Sequence, residues 1–292
     1  MNILVSGATG FIGQSLLKSL SPNEHNIYAV VRKIDTRLHS SVRQFTLETL
    51  SNIDKKIDVF INLAGENIAS KPWTEKRKKH LYDSRVTLTD SVRLALQHPP
   101  SLVISMSAIG FYGVARHGVF SEDTPPKGGF SHELCKAWED SAHAFLNDQT
   151  RIVIFRLGVV LGRGGALNKM RLPFKLGAGG PIAGGKQWFS WVHIDDVVNA
   201  ITTAMRDQDY VGEYNLVAAE LIEQQHFAKA YARSLNRPAV LPTPRWMLNA
   251  IFGEMACLLT EGAKIVPKRL EQQGFEFSFD TIEKALEDIE NQ

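Results

Sequence analysis

The sequence predicts an α/β protein built on a doubly wound parallel sheet, with a smaller, mostly helical C-terminal lobe. Three observations predict it. Short β-branched runs alternate with longer segments of helical spacing up to about residue 160. Those runs are apolar throughout rather than alternating, as strands buried on both faces should be. The first run passes directly into Gly7-Ala8-Thr9-Gly10-Phe11-Ile12-Gly13, three glycines spaced three apart where a first strand would turn into a first helix.

The elements follow in order. Asn2 to Ser6 is the first strand, and a helix follows over 12–20. Ile27-Tyr28-Ala29-Val30-Val31 is the second strand, and Gln44-Phe45-Thr46 marks a weaker one. Val59-Phe60-Ile61-Asn62-Leu63, Leu102 to Ser107 and Arg151 to Arg156 complete the set. Helices are expected over 74–98, 131–148 and 195–206, with right-handed crossovers between parallel strands. After about residue 160 the chain turns glycine-rich, at Gly162-Arg163-Gly164-Gly165 and over 177–185. Helical patterns return over 223–235, 244–260 and 280–290. This divides the chain into a dinucleotide-binding domain over 1–160, its sheet completed by later segments, and a substrate-side and C-terminal lobe over 161–292.

Composition narrows the class. The chain has 292 residues, 44% hydrophobic and 22% charged, as a soluble globular protein has. Its net charge of +2 argues against nucleic acid as a partner, and the Lys76 to Lys79 run lacks interleaved aromatics. Two cysteines, Cys135 and Cys257, provide neither a disulfide framework nor a metal quartet, so no metal is expected and a reducing cytoplasm fits. No run of 18 apolar residues suggests a membrane span, and no signal-peptide pattern opens the chain.

The glycine motif carries the chemistry. Gly7 allows the tight turn, Gly10 lets backbone amides approach a pyrophosphate, and Gly13 lets helix and strand pack closely. Thr9, Phe11 and Ile12 complete this cradle, where the free N–H groups and positive end of the helix dipole meet the phosphates. A site preferring NAD carries Asp or Glu at the end of the second strand for the ribose 2′-hydroxyl. Here that strand ends Val31-Arg32-Lys33, and the first carboxylate is Asp35. A guanidinium at that point suits a 2′-phosphate, so NADP(H) is the expected cofactor.

Taken with Asn62-Leu63-Ala64-Gly65 and Trp191-Val192-His193-Ile194-Asp195-Asp196, the glycine motif resembles that of the extended short-chain dehydrogenase/reductases of the epimerase/dehydratase kind. A narrower resemblance, to the "epimerase family protein" subgroup, runs over nearly the whole chain. It is carried by Asn62 to Ile68, Trp73, Ser84-Arg85, Arg156 to Gly162, Leu176 to Ile182, Asn236-Arg237-Pro238, Phe252 to Met255, Val266 to Leu270 and Gly274-Phe275. The resemblance implies cofactor contacts from Val31 and Arg32 at the adenosine end and from Leu63, Ala64 and Gly65 at the close of the 59–63 strand. It also implies contacts from Arg85 on the following helix and from Val159 beside the nicotinamide. It implies hydride transfer to a small, sugar-like substrate, and a homodimer paired through helices.

Such enzymes pair a tyrosine with a lysine four residues later and place a serine at the end of the preceding strand. Ser107 fits the serine. The tyrosine is missing: four residues before Lys136 stands His132, behind an apparent N-cap at Ser131. His132 and Lys136 share a helix face and could shuttle a proton, or be surface residues. Tyr112 is either a substitute proton donor or an aromatic lid. The resemblance implies that this tyrosine is not reliably kept in the subgroup, which raises a second function, a non-catalytic NADP(H) sensor. His193 and the Asp195-Asp196 pair read more simply as structural residues and a helix cap. The glycine loops are expected to shape a substrate entrance. Arg163, Lys169 and Arg171 could meet an anionic substrate or face water.

Overall fold

The computed structural model describes residues 1–21, 23–115 and 117–291. Eleven strands occur among them: β1 (Asn2–Ser6), β2 (Asn26–Val30), β3 (Val42–Phe45), β4 (Val59–Asn62), β5 (Leu102–Ala108), β6 (Val119–Phe120), β7 (Arg151–Leu157), β8 (Val159–Leu161), β9 (Trp191–His193), β10 (Gly212–Leu216) and β11 (Lys264–Ile265). Seven of them form one parallel sheet in the order β10-β7-β5-β4-β1-β2-β3. Register is held by apolar rows: Ile3 lies between Ile27 and Val59, and Val5 between Ala29 and Ile61. These residues are almost wholly buried, which is why the strands read as unbroken apolar runs. The strand order reverses between β1 and β4, and the crevice outside their carboxyl ends is where such sheets take ligands.

The helices are α1 (Phe11–Ser19), α2 (Glu75–Tyr82), α3 (Leu88–Ala95), α4 (Phe130–His143), α5 (Gly165–Lys175), α6 (Ile194–Arg206), α7 (Gln224–Ser234), α8 (Arg245–Phe252), α9 (Cys257–Thr260), α10 (Lys268–Gln272) and α11 (Ile282–Asn291). Three of the expected helices differ, and α5 and α10 lie where none was expected. The single helix expected over 74–98 is α2 and α3 joined by a π-helical turn, Asp83–Thr87, which widens the backbone and turns Arg85 and Val86 inward. The helix expected over 244–260 breaks at Gly253, where φ is +56°. The third, α4, starts at Phe130, because Gly128 and Gly129 make the preceding turn at φ +85° and +90°. Ser131 is therefore no N-cap; it lies inside the helix and is buried.

A second apolar cluster is formed by Leu161, Phe174, Trp191, Phe227, Tyr231, Ile282, Leu286 and Ile289 among others, while Val197, Ile201, Tyr214 and Leu216 of the same half of the chain join the cluster around the sheet. It is tied to the sheet by long-range polar contacts. The buried Asp196 carboxylate accepts from the backbone of Ser278 and Phe279, at 2.7 and 3.3 Å, so it anchors the C-terminal segment rather than capping α6. The α6 cap is the His193 imidazole, whose Nδ1 accepts from the Asp195 amide at 3.2 Å. No helix among the described residues is long and apolar enough to cross a membrane.

An ion pair fastens α4 to the edge strand β10. His143 Nε2 stands 2.9 Å from Glu213 Oε1. That hydrogen bond holds the Glu213 carboxyl down at about 2 and raises His143 above its ordinary value. The Glu213 contribution is thus present at neutral pH and is lost as pH falls from about 4.5 toward 2. The His143 contribution is full below its unfolded value of about 6.5 and is lost as pH rises through its folded pKa. In Glu213→Gln the His143 midpoint, followed by NMR of the ring protons, is expected to move back down toward 6.5. An unmoved midpoint would contradict the pairing.

Candidate functional site

The loop between β1 and α1 has the shape its glycines require. Gly7 sits at φ +71°, and a Cβ there would come within 2.7 Å of the Leu63 carbonyl group and 2.9 Å of the Ala64 nitrogen. The turn is thereby pressed against the end of β4. A Cβ on Gly13 would lie 2.3 Å from the Gly7 oxygen and 2.8 Å from Ala8, so α1 packs on the loop with no room for a side chain. Gly10 differs: it is exposed, and a Cβ would meet only the Gly7 oxygen, at 3.1 Å. It is the N-cap of α1 in extended conformation, with no side chain capping the first turn and no acidic residue in it. The N–H groups of a helix's first turn have no carbonyl partners. Those of Phe11 and Ile12 therefore present donors and a positive dipole end toward the crevice. The residues present fit a dinucleotide pyrophosphate.

Phe11 explains a second glycine cluster. A Cβ on Gly162 or Gly164 would stand 2.7 Å from its ring, and one on Gly165 3.0 Å. The loop expected to shape a substrate entrance is the socket for this ring and packs against the start of α1. The 177–185 loop also packs inward: Cβ atoms on Gly179, Gly180 and Gly185 would strike Phe174, the Leu241 backbone and Gln225. Two of the cations considered for an anionic substrate hold the C-terminal helix instead. Arg163 donates to the Ile289 carbonyl at 3.0 Å, and Arg171 to Glu290 at 2.7 Å.

At the adenosine end, Val31 is buried and bonded through its amide to Phe45, while Arg32 is exposed just beyond β2. Asp35 is engaged. Both its oxygens take the Arg37 guanidinium, at 2.5 to 3.2 Å, and that bonding holds its carboxyl at about 2. Among the described residues just beyond β2, the first carboxylate is thus engaged by Arg37, while the side chains of Arg32 and Lys33 are exposed.

Across the crevice, Leu63, Ala64 and Gly65 close β4. Arg85 lies beneath them. It is buried, its Nη2 donates 2.7 Å to the Glu66 carbonyl, and its guanidinium rests 5.1 Å over Trp138. A Cβ on Gly65 would come within 3.0 Å of it. Burial lowers Arg85 to about 10. Beyond its bond to the loop at Glu66, its other hydrogen bonds go to its own turn, to the Leu81 carbonyl at 3.3 Å and Ser84 at 3.2 Å. Arg77 holds the same loop from the other side, through Glu66, the Asn67 carbonyl at 2.7 Å and Ser70 at 2.9 Å. Val159 opens β8, just past the carboxyl end of β7, and pairs with Trp191 of β9.

The expected proton relay is not assembled. His132 Nδ1 lies 2.6 Å from the Phe111 carbonyl, so that nitrogen carries a proton committed there. Lys136 pairs with Asp140 at 2.6 Å and is more than half exposed. The stripe of α4 that faces the sheet is Ser131, Cys135 and Glu139, one residue back from the pair the sequence suggested. Ser107 donates to Glu139 Oε1 at 2.6 Å. Glu139 in turn receives Arg156 through two bonds, at 2.9 and 2.8 Å, with both side chains buried. Burial alone would lower Arg156; the paired carboxylate overrides it and holds the guanidinium above its ordinary value. Arg156 lies 3.5 Å over Phe111 and donates to the Tyr112 hydroxyl at 3.2 Å, and that hydroxyl donates to Asn215 at 2.7 Å. Tyr112 is 1% exposed, and burial raises its pKa. The Cys135 thiol, pushed up to about 12 by burial and then by Glu139, is neutral.

Sequence reasoning missed the Glu139–Arg156 pair. The available signal was Arg156 itself, a charge near the end of a strand whose run from Ile152 to Phe155 is apolar on both faces, which demands a buried partner.

A family model described as "NAD dependent epimerase/dehydratase family" matches residues 3–217, and one described as "Domain of unknown function (DUF1731)" matches residues 243–289. Epimerase family protein SDR39U1 of Mus musculus is 37% identical over 300 residues, covering 99% of each chain. Epimerase family protein YfhF of Bacillus subtilis is 34% identical over 297 residues, covering 99% of this chain and 98% of its own. Among solved structures, the human epimerase family protein SDR39U1 (isoform 2), determined with NADPH, superposes at a TM-score of 0.92 with 34% identity over the full length of both chains. A UDP-glucuronic acid 4-epimerase from Bacillus cereus superposes at 0.81 with 19% identity, a likeness of fold.

Proposed function

The chain belongs to the NAD dependent epimerase/dehydratase family, and from that premise we propose that it binds NADP(H) and exchanges a hydride with a small substrate beneath the C-terminal lobe. The loop of Gly7, Thr9, Gly10, Phe11, Ile12 and Gly13 takes the pyrophosphate. Val31 and Arg32 take the adenosine end, Leu63, Ala64 and Gly65 line the crevice, Val159 borders the nicotinamide, and Arg85 braces the wall. When bound, the cofactor supplies the hydride. The observation that carries this reading is the end of β2, where Asp35 is occupied by Arg37 and the exposed Arg32 is left to meet a 2′-phosphate. The NADPH in the human relative's structure supports it. Two free cysteines, one of them buried, support placement in a reducing cytoplasm.

A fluorescence titration tests the reading. The wild type is expected to prefer NADPH over NADH by at least about tenfold, some 1.4 kcal/mol. Arg32→Glu is expected to erase that preference by weakening NADPH alone. Equal affinity of the wild type for the two nucleotides would overturn the assignment.

One observation favours a second reading, a non-catalytic NADP(H) sensor: the hydroxyls of Ser107 and Tyr112 both donate to buried acceptors. Nucleotide binding without turnover of any hydride acceptor would select it.

A further inference from the structure

We infer that the surface where α5, the 177–185 loop and the start of α8 meet docks on an anionic lipid bilayer. It uses none of the residues given to the nucleotide and does not depend on the reading above. Close contacts join its segments. Arg237 Nε donates to the Lys175 carbonyl at 2.8 Å, tying the end of α5 to the chain after α7. A Cβ on Gly180 would lie 2.4 Å from the Leu241 oxygen. The Thr243 amide donates to the Pro181 carbonyl at 2.9 Å, the Ala183 amide donates to the Thr243 carbonyl at 2.8 Å, and α8 opens two residues later. The large side chains these segments leave in water are apolar: Leu172, Leu176, Val240, Leu241 and Trp246 are each between 54 and 74% exposed. One exposed leucine is ordinary; five large apolar side chains on joined segments mark a binding surface. Standing more than half clear of the surface, they suit entry into a bilayer interface better than the walls of a peptide groove, and tryptophan is enriched at that depth.

Charge selects the bilayer. The sequence holds no Asp or Glu from 149 to 194 or from 224 to 253. Within those stretches Lys169, Lys175, Lys186 and Arg237 are exposed, and no ion pair engages any of them among the described residues. Other cations of the same stretches are matched: Arg171 takes Glu290, and Arg245 takes Glu261. Lys169, Leu172 and Leu176 follow at i, i+3 and i+7 along α5, so an ammonium stands on the same face as two exposed leucines. A lysine stem lies along such apolar surface and carries its charge to the rim, where headgroup phosphates would sit. In a chain whose net charge is only +2, unpaired cations around an apolar patch make a local field that anionic lipid completes. A second copy of the chain, set face to face, would bring the same cations and be repelled.

Sedimentation of the full chain with two kinds of vesicle tests this: phosphatidylcholine alone, and phosphatidylcholine with about one-third phosphatidylglycerol. The mixed vesicles are expected to bind at least about tenfold more tightly, and about 0.5 M salt to remove most of that difference. Two double variants, Lys169→Gln with Lys175→Gln and Leu176→Ser with Trp246→Ser, change exposed positions and are expected to melt with the wild type. Each should lower the affinity for mixed vesicles by at least about tenfold. Tryptophan emission of the wild type is expected to shift to the blue on mixed vesicles, and Trp246→Phe to lose most of that shift. Absence of binding, equal binding to the two vesicles, or no loss in either double variant overturns the inference. So does tighter capture by a soluble acidic peptide, poly-glutamate, than by the mixed vesicles, or a dimer that Leu176→Ser with Trp246→Ser dissolves; in both cases the surface serves a protein.

Discussion

Arg156→Met is expected to destabilise the protein by about 3–5 kcal/mol, the cost of stripping a buried carboxylate of its partner. The argument is local. Glu139 and Arg156 are each about 95% buried by side chain, joined by two bonds of 2.9 and 2.8 Å. Methionine keeps the volume and removes the charge. Among the described residues Glu139 then keeps the Ser107 hydroxyl, one hydrogen bond for a whole charge, and Tyr112 loses the donor at 3.2 Å. Glu139→Gln placed on top of Arg156→Met removes the orphaned charge, and its amide oxygen still accepts from Ser107. The double variant is therefore expected to regain a large part of the loss, which two separate sites would not do. Equilibrium denaturation with urea measures all three variants. A loss below about 1 kcal/mol in Arg156→Met would mean that the pair is solvated.

The sheet half of this fold was legible because burial on both faces leaves nothing but apolar residues in a central strand. Where that condition weakens, so does the signal: β3 is an edge strand, carries Arg43 and Gln44, and gave only a faint pattern. The glycine roles were equally readable, since Gly7 and Gly13 are each required by a contact closer than 3 Å.

The candidate chemistry was less legible, for a geometrical reason. A helical residue is turned by about 100° from its neighbour, so a one-residue error in the start of α4 changes which stripe faces the sheet. Ser131 looks like a cap, but the turn is made by Gly128 and Gly129, and the helix begins a residue earlier. The inward stripe is thus Ser131, Cys135 and Glu139 rather than His132 and Lys136. In the C-terminal lobe the deciding contacts span long separations in sequence. Arg163 to Ile289 and Asp196 to Ser278 are examples, and no local pattern announces either.

The central claim is that the first turn of α1 binds the pyrophosphate of NADPH, and Gly10→Asp tests it most directly. Gly10 is an N-cap in extended conformation with no capping side chain. Aspartate is a favoured N-cap, so the helix gains a cap worth about 1 kcal/mol. A Cβ meets only the Gly7 oxygen, at 3.1 Å, which a small shift relieves. The same carboxylate takes the first-turn N–H groups and sets a negative charge where the phosphates would lie. Thermal stability and nucleotide affinity should therefore separate. In a parallel melting and NADPH titration, the account predicts an unchanged or higher melting temperature with affinity down at least about 100-fold, some 2.7 kcal/mol. A Gly10→Asp protein that melts normally and binds NADPH as tightly as the wild type would contradict it.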